Sequence, residues 1–253
     1  MHRWLVLVAM AIVAGCVSPR EAPMKPRETA EPPPFHTALT DPEDAREMRR
    51  TLVARIVARY PGLDDKRVRD AMLSVPRHWF VDAPLVDAYR DRPFPIGHGQ
   101  TISQPTIVMM MSHALHLDGS ERVLEVGTGS GYQAAVLSVL AWEVFSIEIV
   151  APLASRARDR LAAAGYSNVQ VRTGDGYKGW PEQAPFDRVI VTAAPPEMPQ
   201  ALLDQLRIGG ILIAPIGGQH QTQRLERWTR TETGFSREDL GPVVFVPMVH
   251  EDR

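Results

Sequence analysis

Residues 122–137 read RVLEVGTGSGYQAAVL, a short apolar run followed by a glycine-rich loop and a segment of helical character. Gly127, Gly129 and Gly131 would allow a tight turn and let a ligand approach the backbone. A dinucleotide-binding loop with the spacing G-x-G-x-x-G would need a glycine at position 132, where this chain has Tyr132. The spacing therefore predicts a ligand pocket after a first strand, and it argues against a pyrophosphate cradle.

Strand and helix patterns continue to alternate after this loop. The segments EVFSIEI, VQVRTGD, FDRVIVTAA and GGILIAPIG predict strands, and PLASRARDRLAAAGY and MPQALLDQLR predict helices between them. Such alternation is typical of a doubly wound α/β fold, a mostly parallel sheet with helices on both faces. LERWTRT and VVFVPMV have no helix between them, so we expect them to form an antiparallel pair at one edge of the sheet.

An N-terminal helical extension is predicted upstream of the sheet. DPEDAREMRRTLVARIVARY opens with Asp41 as a capping residue and carries Met48, Leu52 and Ile56 at helical spacing. DDKRVRDAMLSV repeats this pattern more briefly. The next stretch is irregular and ends in GHGQTISQP, after which the apolar run TIVMMMSHALHL predicts another helix.

The composition is ordinary for a soluble globular chain, with 44% hydrophobic and 23% charged residues among 253. A formal net charge of −2 gives no reason to expect nucleic acid as a partner. The single cysteine excludes an internal disulfide and a cysteine-based zinc site, and no metal site is predicted.

The first residues have the layout of a bacterial export signal. MHRWLVLVAMAIVAGC combines Arg3, an apolar core and small residues, which predicts a signal peptide over residues 1–15. VAGC resembles a lipobox, so we expect Cys16 to be lipidated and the protein to face the periplasm, with no other membrane contact. Residues 16–40 are rich in proline and charge, which favours an extended linker. The alternative is a cytoplasmic protein that starts downstream, near Met48.

Acidic side chains follow the next two predicted strands. Glu148 ends the second strand, where a carboxylate can accept hydrogen bonds from both hydroxyls of a ribose. Asp175, in the sequence GDG after the third strand, stands where an adenine amino group could be recognised. Each residue alone could be a solvated strand end or a turn residue. Because both lie at the carboxyl ends of neighbouring strands, together they predict a crevice for a nucleoside.

The combination of VLEVGTGSG, a strand-end acid, GDG and FDRVIVTAA resembles the Rossmann-like methyltransferases that use S-adenosylmethionine. IGHGQTISQP, QLRIGGILIAPIGG and VVFVPM narrow the resemblance to the protein-L-isoaspartate O-methyltransferase family, and TISQP is specific to that family. The likeness runs from about Met48 to Val249. Residues 41–253 are therefore expected to form one methyltransferase domain, with helices and substrate loop in 41–121 and the cofactor-binding sheet in 122–253.

The resemblance implies S-adenosyl-L-methionine as cofactor, isoaspartyl-containing proteins and peptides as substrates, and protein repair as the purpose. The residues that it implies for cofactor binding are Glu125, Gly127, Thr128, Gly129, Gly131, Glu148, Asp175, Gly176, Thr192 and Ala193. Those that it implies for substrate binding are Thr101, Ile102, Ser103, Gln104 and Val246, with Ser103 also assigned to catalysis.

The implied reaction transfers a methyl group from a sulfonium to a carboxylate. A carboxylate with a pKa near ~4 is already ionised at neutral pH, so the reaction needs orientation rather than a strong base. Neutral donors such as Thr101 and Ser103 can hold the acceptor without lowering its nucleophilicity, and TISQP contains no lysine or arginine.

Two residues of this region have a second interpretation. Ser103 is also well placed as the N-cap of the following helix, with Pro105 in the first turn, and the two roles are compatible. His98 could act as an acid or base, although a loop role suffices. Thr106 stands where the family usually has a larger aromatic residue, which affects the expected shape of the peptide pocket.

Two other functions remain open from the sequence. One is a methyltransferase of the same fold that acts on a different carboxylate. The other is a lipid-anchored binding module without turnover, since the compartment expected for a lipoprotein has no obvious supply of S-adenosylmethionine. Whichever function applies, we expect the protein to be a monomer.

Overall fold

A computed structural model describes residues 39–218 and 221–251 of the chain. The predicted signal peptide, Cys16 and the predicted linker up to residue 38 lie outside the described residues. Within the described part, no helix combines the length and apolar character needed to cross a bilayer.

Helices pack around a central sheet and a separate hairpin in the described chain. The helices are α1 (Glu43–Arg59), α2 (Lys66–Ser74), α3 (Leu85–Ala88), α4 (Pro105–Ala114), α5 (Tyr132–Leu140), α6 (Ala151–Ala163) and α7 (Gln200–Asp204). The strands are β1 (Phe94–Gly97), β2 (Gln100–Ile102), β3 (Arg122–Val126), β4 (Glu143–Glu148), β5 (Val169–Thr173), β6 (Phe186–Val191), β7 (Leu206–Ile216), β8 (Gln223–Thr231) and β9 (Gly234–Val243).

The predicted N-terminal helices are present, but Asp41 does not cap the first of them. The N-cap of α1 is Pro42, which offers no side-chain hydrogen bond. The carboxylate of Asp41 instead pairs with the buried Arg49, at 2.7 Å. Asp65 does cap α2, since its side chain accepts hydrogen bonds from the N–H groups of Arg67 and Val68.

The central sheet has the order β5-β4-β3-β6-β7-β8-β9. The pairs from β5 to β7 are parallel, and β8 and β9 add antiparallel strands at one edge. Leu124, Phe145 and Val189 are fully buried in adjacent parallel strands, as expected for a sheet covered on both faces. The predicted α/β fold, mostly parallel with an antiparallel edge pair and an N-terminal helical extension, is confirmed.

The identity of the last edge strand was predicted wrongly. β9 is Gly234–Val243, whereas all but the first residue of the predicted strand VVFVPMV follow β9. The charged sequence of β9 does not look like a strand in isolation. Its backbone pairs with β8 along the whole strand, and its charges pair across to β8, as in Arg224–Asp239 at 2.6 Å and Arg237–Glu226 at 2.7 Å.

The irregular stretch before TISQP contains a hairpin that the sequence analysis did not predict. β1 and β2 pair antiparallel, and Gly97, His98 and Gly99 form the turn with φ values of 89°, 54° and 70°. Arg156 of α6 donates a hydrogen bond to the carbonyl of Ile96 at 2.8 Å. The hairpin is therefore attached to the part of the domain that carries the central sheet.

Candidate active site

A cavity lies at the carboxyl ends of β3, β4 and β6 and encloses about 780 Å³ of atom-free space, part of it open to solvent. β3 lies between β4 and β6, so the connections leave it in opposite directions and a crevice forms at its end. Predicted cofactor residues that line the cavity are Gly127, Thr128, Gly129, Glu148, Gly176, Thr192 and Ala193. Predicted substrate residues that line it are Thr101, Ile102, Ser103 and Val246.

The glycine loop is bound tightly to both neighbouring strands. The N–H of Gly127 donates to the carbonyl of Ile147, at 2.8 Å, and the hydroxyl of Thr192 donates to the carbonyl of Gly127, at 2.6 Å. Gly127 has a φ of 102°, and a Cβ there would overlap the Thr192 hydroxyl. Glycine is therefore required at this position for both conformation and space.

Glu148 presents a fixed carboxylate to the cavity. Its Oε2 accepts a hydrogen bond from the N–H of Gly129 at 2.7 Å, and its Oε1 accepts one from Val150 at 2.9 Å. Burial raises the pKa of Glu148, and these backbone donors oppose the shift. The loop and the carboxylate orient each other, and the carboxylate has lone pairs left to accept hydrogen bonds from ligand hydroxyls.

Glu125 lies behind the cavity rather than on its wall, contrary to its predicted contact with the cofactor. It is completely buried, and its Oε2 accepts a hydrogen bond from the Ser146 hydroxyl. The hydroxyl of Thr128, which does line the cavity, shares a hydrogen bond with the Ser146 hydroxyl at 2.5 Å. The other carboxyl oxygen, Oε1, is buried without a hydrogen-bond partner among the described residues. Burial raises the pKa of Glu125 to about 8, so the side chain is mostly protonated at neutral pH.

This protonation predicts a pH-dependent stability that the variant Glu125→Gln should remove. Between the ordinary pKa of 4.5 and about 8, the folded state keeps a proton that the unfolded state releases. The contribution of Glu125 to the free energy of unfolding is therefore fully present below pH 4.5. It falls as the pH rises, by up to about 1.4 kcal/mol per unit, and levels off above pH 8.

Urea unfolding of both proteins at pH 5, 6.5 and 8 measures this effect. The stability of the wild type relative to Glu125→Gln should decrease steadily over that range. The exposed Glu197, changed to Gln, is the matched control and should give a constant difference. A constant difference for Glu125→Gln as well would show that Glu125 is ionised in the folded protein.

Asp175 and Gly131 also do not line the cavity, and both make contacts with neighbouring residues of the fold. Asp175 caps the following turn by accepting a hydrogen bond from Tyr177 N–H at 2.9 Å, and its Oδ2 lies 3.2 Å from His250 Nδ1. The His250 ring stacks on Tyr177, with 3.8 Å between centroids. Gly131 is the N-cap of α5, where its Cα faces Ala157 and Leu161 of α6 rather than the cavity.

The TISQP segment has a different helix cap from the one predicted. The N-cap of α4 is Gln104, which makes no capping hydrogen bond and does not line the cavity. Asp91 caps the helix from outside, since it accepts hydrogen bonds from the N–H of Thr106 at 2.9 Å, the Thr106 hydroxyl at 2.6 Å and the Gln104 amide at 3.1 Å. The expectation that Ser103 caps the helix is therefore wrong, and its hydroxyl is not occupied by that role. Thr106 is buried in this interaction.

The comparisons with known proteins agree with this geometry. The family model described as "Protein-L-isoaspartate(D-aspartate) O-methyltransferase (PCMT)" matches residues 49–253. The chain belongs to this family. The recognised family and the predicted enzyme class, an O-methyltransferase, are thereby confirmed.

Individual relatives cover most of the domain. A protein named protein-L-isoaspartate O-methyltransferase from Synechococcus sp. is 54% identical over 74% of this chain and 80% of its own length. One with the same name from Gloeobacter violaceus is 52% identical over 75% of this chain and 93% of its own length. A solved structure from Plasmodium falciparum, described as a protein-L-isoaspartate O-methyltransferase in complex with S-adenosyl-L-homocysteine, is 26% identical with a TM-score of 0.68. The match covers 79% of this chain and 98% of that one.

Several residues that line the cavity were not predicted from the sequence. Tyr132 and Gln133, the first residues of α5, line the cavity, as do Gln100 beside Thr101 and Met248 near Val246. Tyr132 was noted as the residue that breaks the dinucleotide spacing, and its place directly after the glycine loop was the available signal. Met248 reaches the cavity because the chain after β9 pairs with the segment that follows β6, where Ala194 N–H donates to Val246 O and Met248 N–H donates to Ala194 O.

The residues of the cavity fit the cofactor that the resemblance implies. The buried carboxylate of Glu148, which has spare acceptor capacity, lines the same cavity as the backbone of the glycine loop and the apolar side chain of Met248. The mixture of hydroxyl-binding, backbone and apolar groups suits a molecule that has a ribose, a base and an amino-acid part.

Proposed function

We propose that this protein methylates the free carboxylate of isoaspartyl residues in damaged proteins, with S-adenosyl-L-methionine as methyl donor. When bound, this cofactor supplies a methyl group activated on a positively charged sulfur. The ester that results promotes succinimide closure and allows the linkage to reopen in part as normal aspartate. The observation that carries the proposal is one cavity lined by two sets of residues, the glycine loop with Glu148 and the segment Thr101 to Ser103.

The two sets of lining residues have different roles in the reaction. The glycine loop, Glu148, Gly176 and the backbone after β6 hold the cofactor. Thr101 and Ser103 lie on the hairpin side, where neutral hydroxyl and backbone donors orient an acceptor carboxylate that is already ionised. Because Asp91 caps α4, the Ser103 hydroxyl is free to donate to the substrate.

A matched pair of peptides tests the function. The purified full-length protein is incubated with methyl-labelled S-adenosylmethionine and peptides that differ only in an aspartyl or isoaspartyl linkage. Label confined to the isoaspartyl peptide is the expected result. Equal label in both would favour a different carboxylate methyltransferase, and cofactor binding without transfer to either would favour a binding module.

Glu148→Ala is expected to weaken cofactor binding more than it slows transfer. The variant removes an acceptor from the cavity and leaves the N–H groups of Gly129 and Val150 without their partner. The loss should be about 1–3 kcal/mol in binding of S-adenosylhomocysteine, measured by calorimetry. Glu148→Gln, which keeps one carbonyl acceptor, should lose less. An unchanged dissociation constant for Glu148→Ala would remove this residue from the cofactor site.

We also propose that Cys16 is lipidated after removal of residues 1–15, so that the enzyme is anchored at a membrane and faces the periplasm. The support is the sequence alone: Arg3, the apolar core and the lipobox-like VAGC, followed by a proline-rich linker. Mass analysis of the mature N-terminus should find a lipid-modified Cys16. An unmodified chain that begins near Met48 would instead place the enzyme in the cytoplasm.

We further propose that the enzyme acts as a monomer without nucleic acid. One chain supplies both the predicted cofactor residues and the predicted substrate residues that line the cavity. The net charge of −2 provides no general attraction for a phosphate backbone. Light scattering coupled to gel filtration should give a mass near 28.1 kDa before processing, and a larger stable species would contradict the proposal.

A further inference from the structure

Arg77 carries a positive charge that is buried directly behind the substrate wall. Its side chain is 0% exposed, and none of the described carboxylates forms a direct ion pair with it. Burial lowers the pKa of Arg77 and the nearby charge of Asp91 opposes that shift, and a guanidinium stays protonated in a protein. A buried cation that no carboxylate contacts directly is unfavourable, so its presence at this position needs a reason.

The hydrogen bonds of Arg77 join three separate segments of backbone. Nη1 donates to the carbonyl of Ala88 at 2.6 Å, and Nη2 donates to the carbonyls of Arg92 at 3.3 Å and Ser103 at 3.0 Å. The remaining nitrogen of the guanidinium, Nε, is buried and has no hydrogen-bond partner among the described residues. The contact with Ser103 fixes the peptide unit of the residue whose hydroxyl lines the cavity.

Arg77 also contacts a second residue of the cavity wall. The guanidinium carbon lies 5.7 Å from the centroid of the Tyr132 ring, within the range of a cation–π interaction. Ser103 and Tyr132 both line the cavity, whereas Arg77 does not. The charge is therefore separated from the cavity by one layer of side chain and backbone.

We propose that Arg77 is a positioning residue for the acceptor: it holds the Ser103 peptide in place and makes the wall formed by Ser103 and Tyr132 favourable for a carboxylate. This inference rests on the proposed function. The guanidinium donates to backbone carbonyls, so it attracts the acceptor through its field without a direct contact that would lower the nucleophilicity of the carboxylate. Interaction between charges is strong across a layer from which water is excluded.

The experiment compares Arg77→Met with Arg77→Lys in the full-length protein. Each variant is assayed for the KM and kcat of isoaspartyl peptide methylation and for the dissociation constant of S-adenosylhomocysteine. Arg77→Met should raise the peptide KM about tenfold or more and change cofactor affinity less than about twofold. Arg77→Lys keeps the charge but not the planar fork, so it should recover most of the KM and still lower kcat several-fold.

A second readout tests charge without relying on turnover. An isoaspartyl peptide and its analogue with a carboxamide in place of the acceptor carboxylate are used as competing ligands. The wild type and Arg77→Lys should bind the carboxylate peptide about tenfold more tightly than the amide, and Arg77→Met should lose that preference.

Arg188→Met is the matched control. Arg188 is also a buried arginine that donates to backbone carbonyls, those of Leu115 at 2.6 Å and His116 at 3.1 Å. Unlike Arg77, it also pairs with the buried Glu121 at 3.5 Å, and none of these partners lines the cavity. The variant Arg188→Met should lower the stability of the protein and leave the peptide KM unchanged.

The outcomes separate the two claims. If the wild type does not methylate the isoaspartyl peptide, the proposed function fails. If it does, but Arg77→Met keeps a wild-type KM or loses cofactor affinity as much as peptide affinity, the role of Arg77 is wrong. If Arg77→Met does not fold, Arg77→Lys decides the test. A peptide KM for Arg77→Lys that is tenfold or more above that of the wild type would overturn the inference.

Discussion

Gly127→Ala is expected to weaken cofactor binding by about a hundredfold. Gly127 has a φ of 102°, which costs an L-residue ~1–2 kcal/mol, and the added Cβ would overlap the Thr192 hydroxyl. The single hydroxyl hydrogen of Thr192 is shared between the carbonyls of Val126 and Gly127, and this interaction contributes about 1 kcal/mol. A total of about 2–3 kcal/mol corresponds to a factor of roughly 30 to 150 in affinity.

Titration calorimetry with S-adenosylhomocysteine measures the loss. Gly62→Ala is the matched control, since a Cβ at position 62 meets nothing within 4 Å and Gly62 does not have a left-handed φ. It should bind the ligand as the wild type does. Wild-type affinity in Gly127→Ala would show that the loop conformation is not needed for the cofactor.

Ser103→Ala is expected to lower kcat about a hundredfold while cofactor affinity stays within about twofold. Ser103 lines the cavity from the segment after β2 and is not part of the glycine loop. Its hydroxyl does not cap α4, because the carboxylate of Asp91 accepts the hydrogen bond from Thr106 N–H. The substitution should therefore remove a substrate contact without loosening the helix, and a small misplacement of an acceptor can cost about a hundredfold in rate.

Single-turnover transfer of labelled methyl to an isoaspartyl peptide measures this effect. Ser138→Ala is the matched control, since its hydroxyl donates to the carbonyl of Ala135 within α5 and does not line the cavity. It should transfer methyl at the wild-type rate. A Ser103→Ala enzyme that loses cofactor binding and turnover to the same extent would show that Ser103 belongs to the cofactor side.

The sheet and its ligand end could be predicted because their causes are local in the sequence. Buried parallel strands must be apolar, and a loop that turns within a few residues needs glycine, so VLEVG and the residues after it identify the first strand and its loop. Glu148 was found in the same way, since a carboxylate at the end of an apolar strand is conspicuous. By contrast, β9 was missed because its charged sequence shows no apolar alternation and the strand is defined by pairing with β8.

The differences at the site also have a common physical cause. Asp175 and Gly131 were assigned to the cofactor from their place in a motif, and that contact stays a prediction, but Asp175 also contacts Tyr177 and His250 and Gly131 packs against α6. Ser103 was expected to cap a helix because the residue type suits an N-cap. The cap comes instead from Asp91, which lies 15 residues before Thr106 and has no local signal.

The sequence alone determined the class of fold, the family, the glycine loop and the two strand-end acids, because each depends on residue type and short-range spacing. Tertiary structure decided which of these residues reach the cavity and what stands behind them. TISQP contains no cation, yet folding places the buried Arg77 against the carbonyl of Ser103 across 26 positions of the chain. Long-range contacts of this kind arise only when separate segments pack together, so no local pattern could have predicted them.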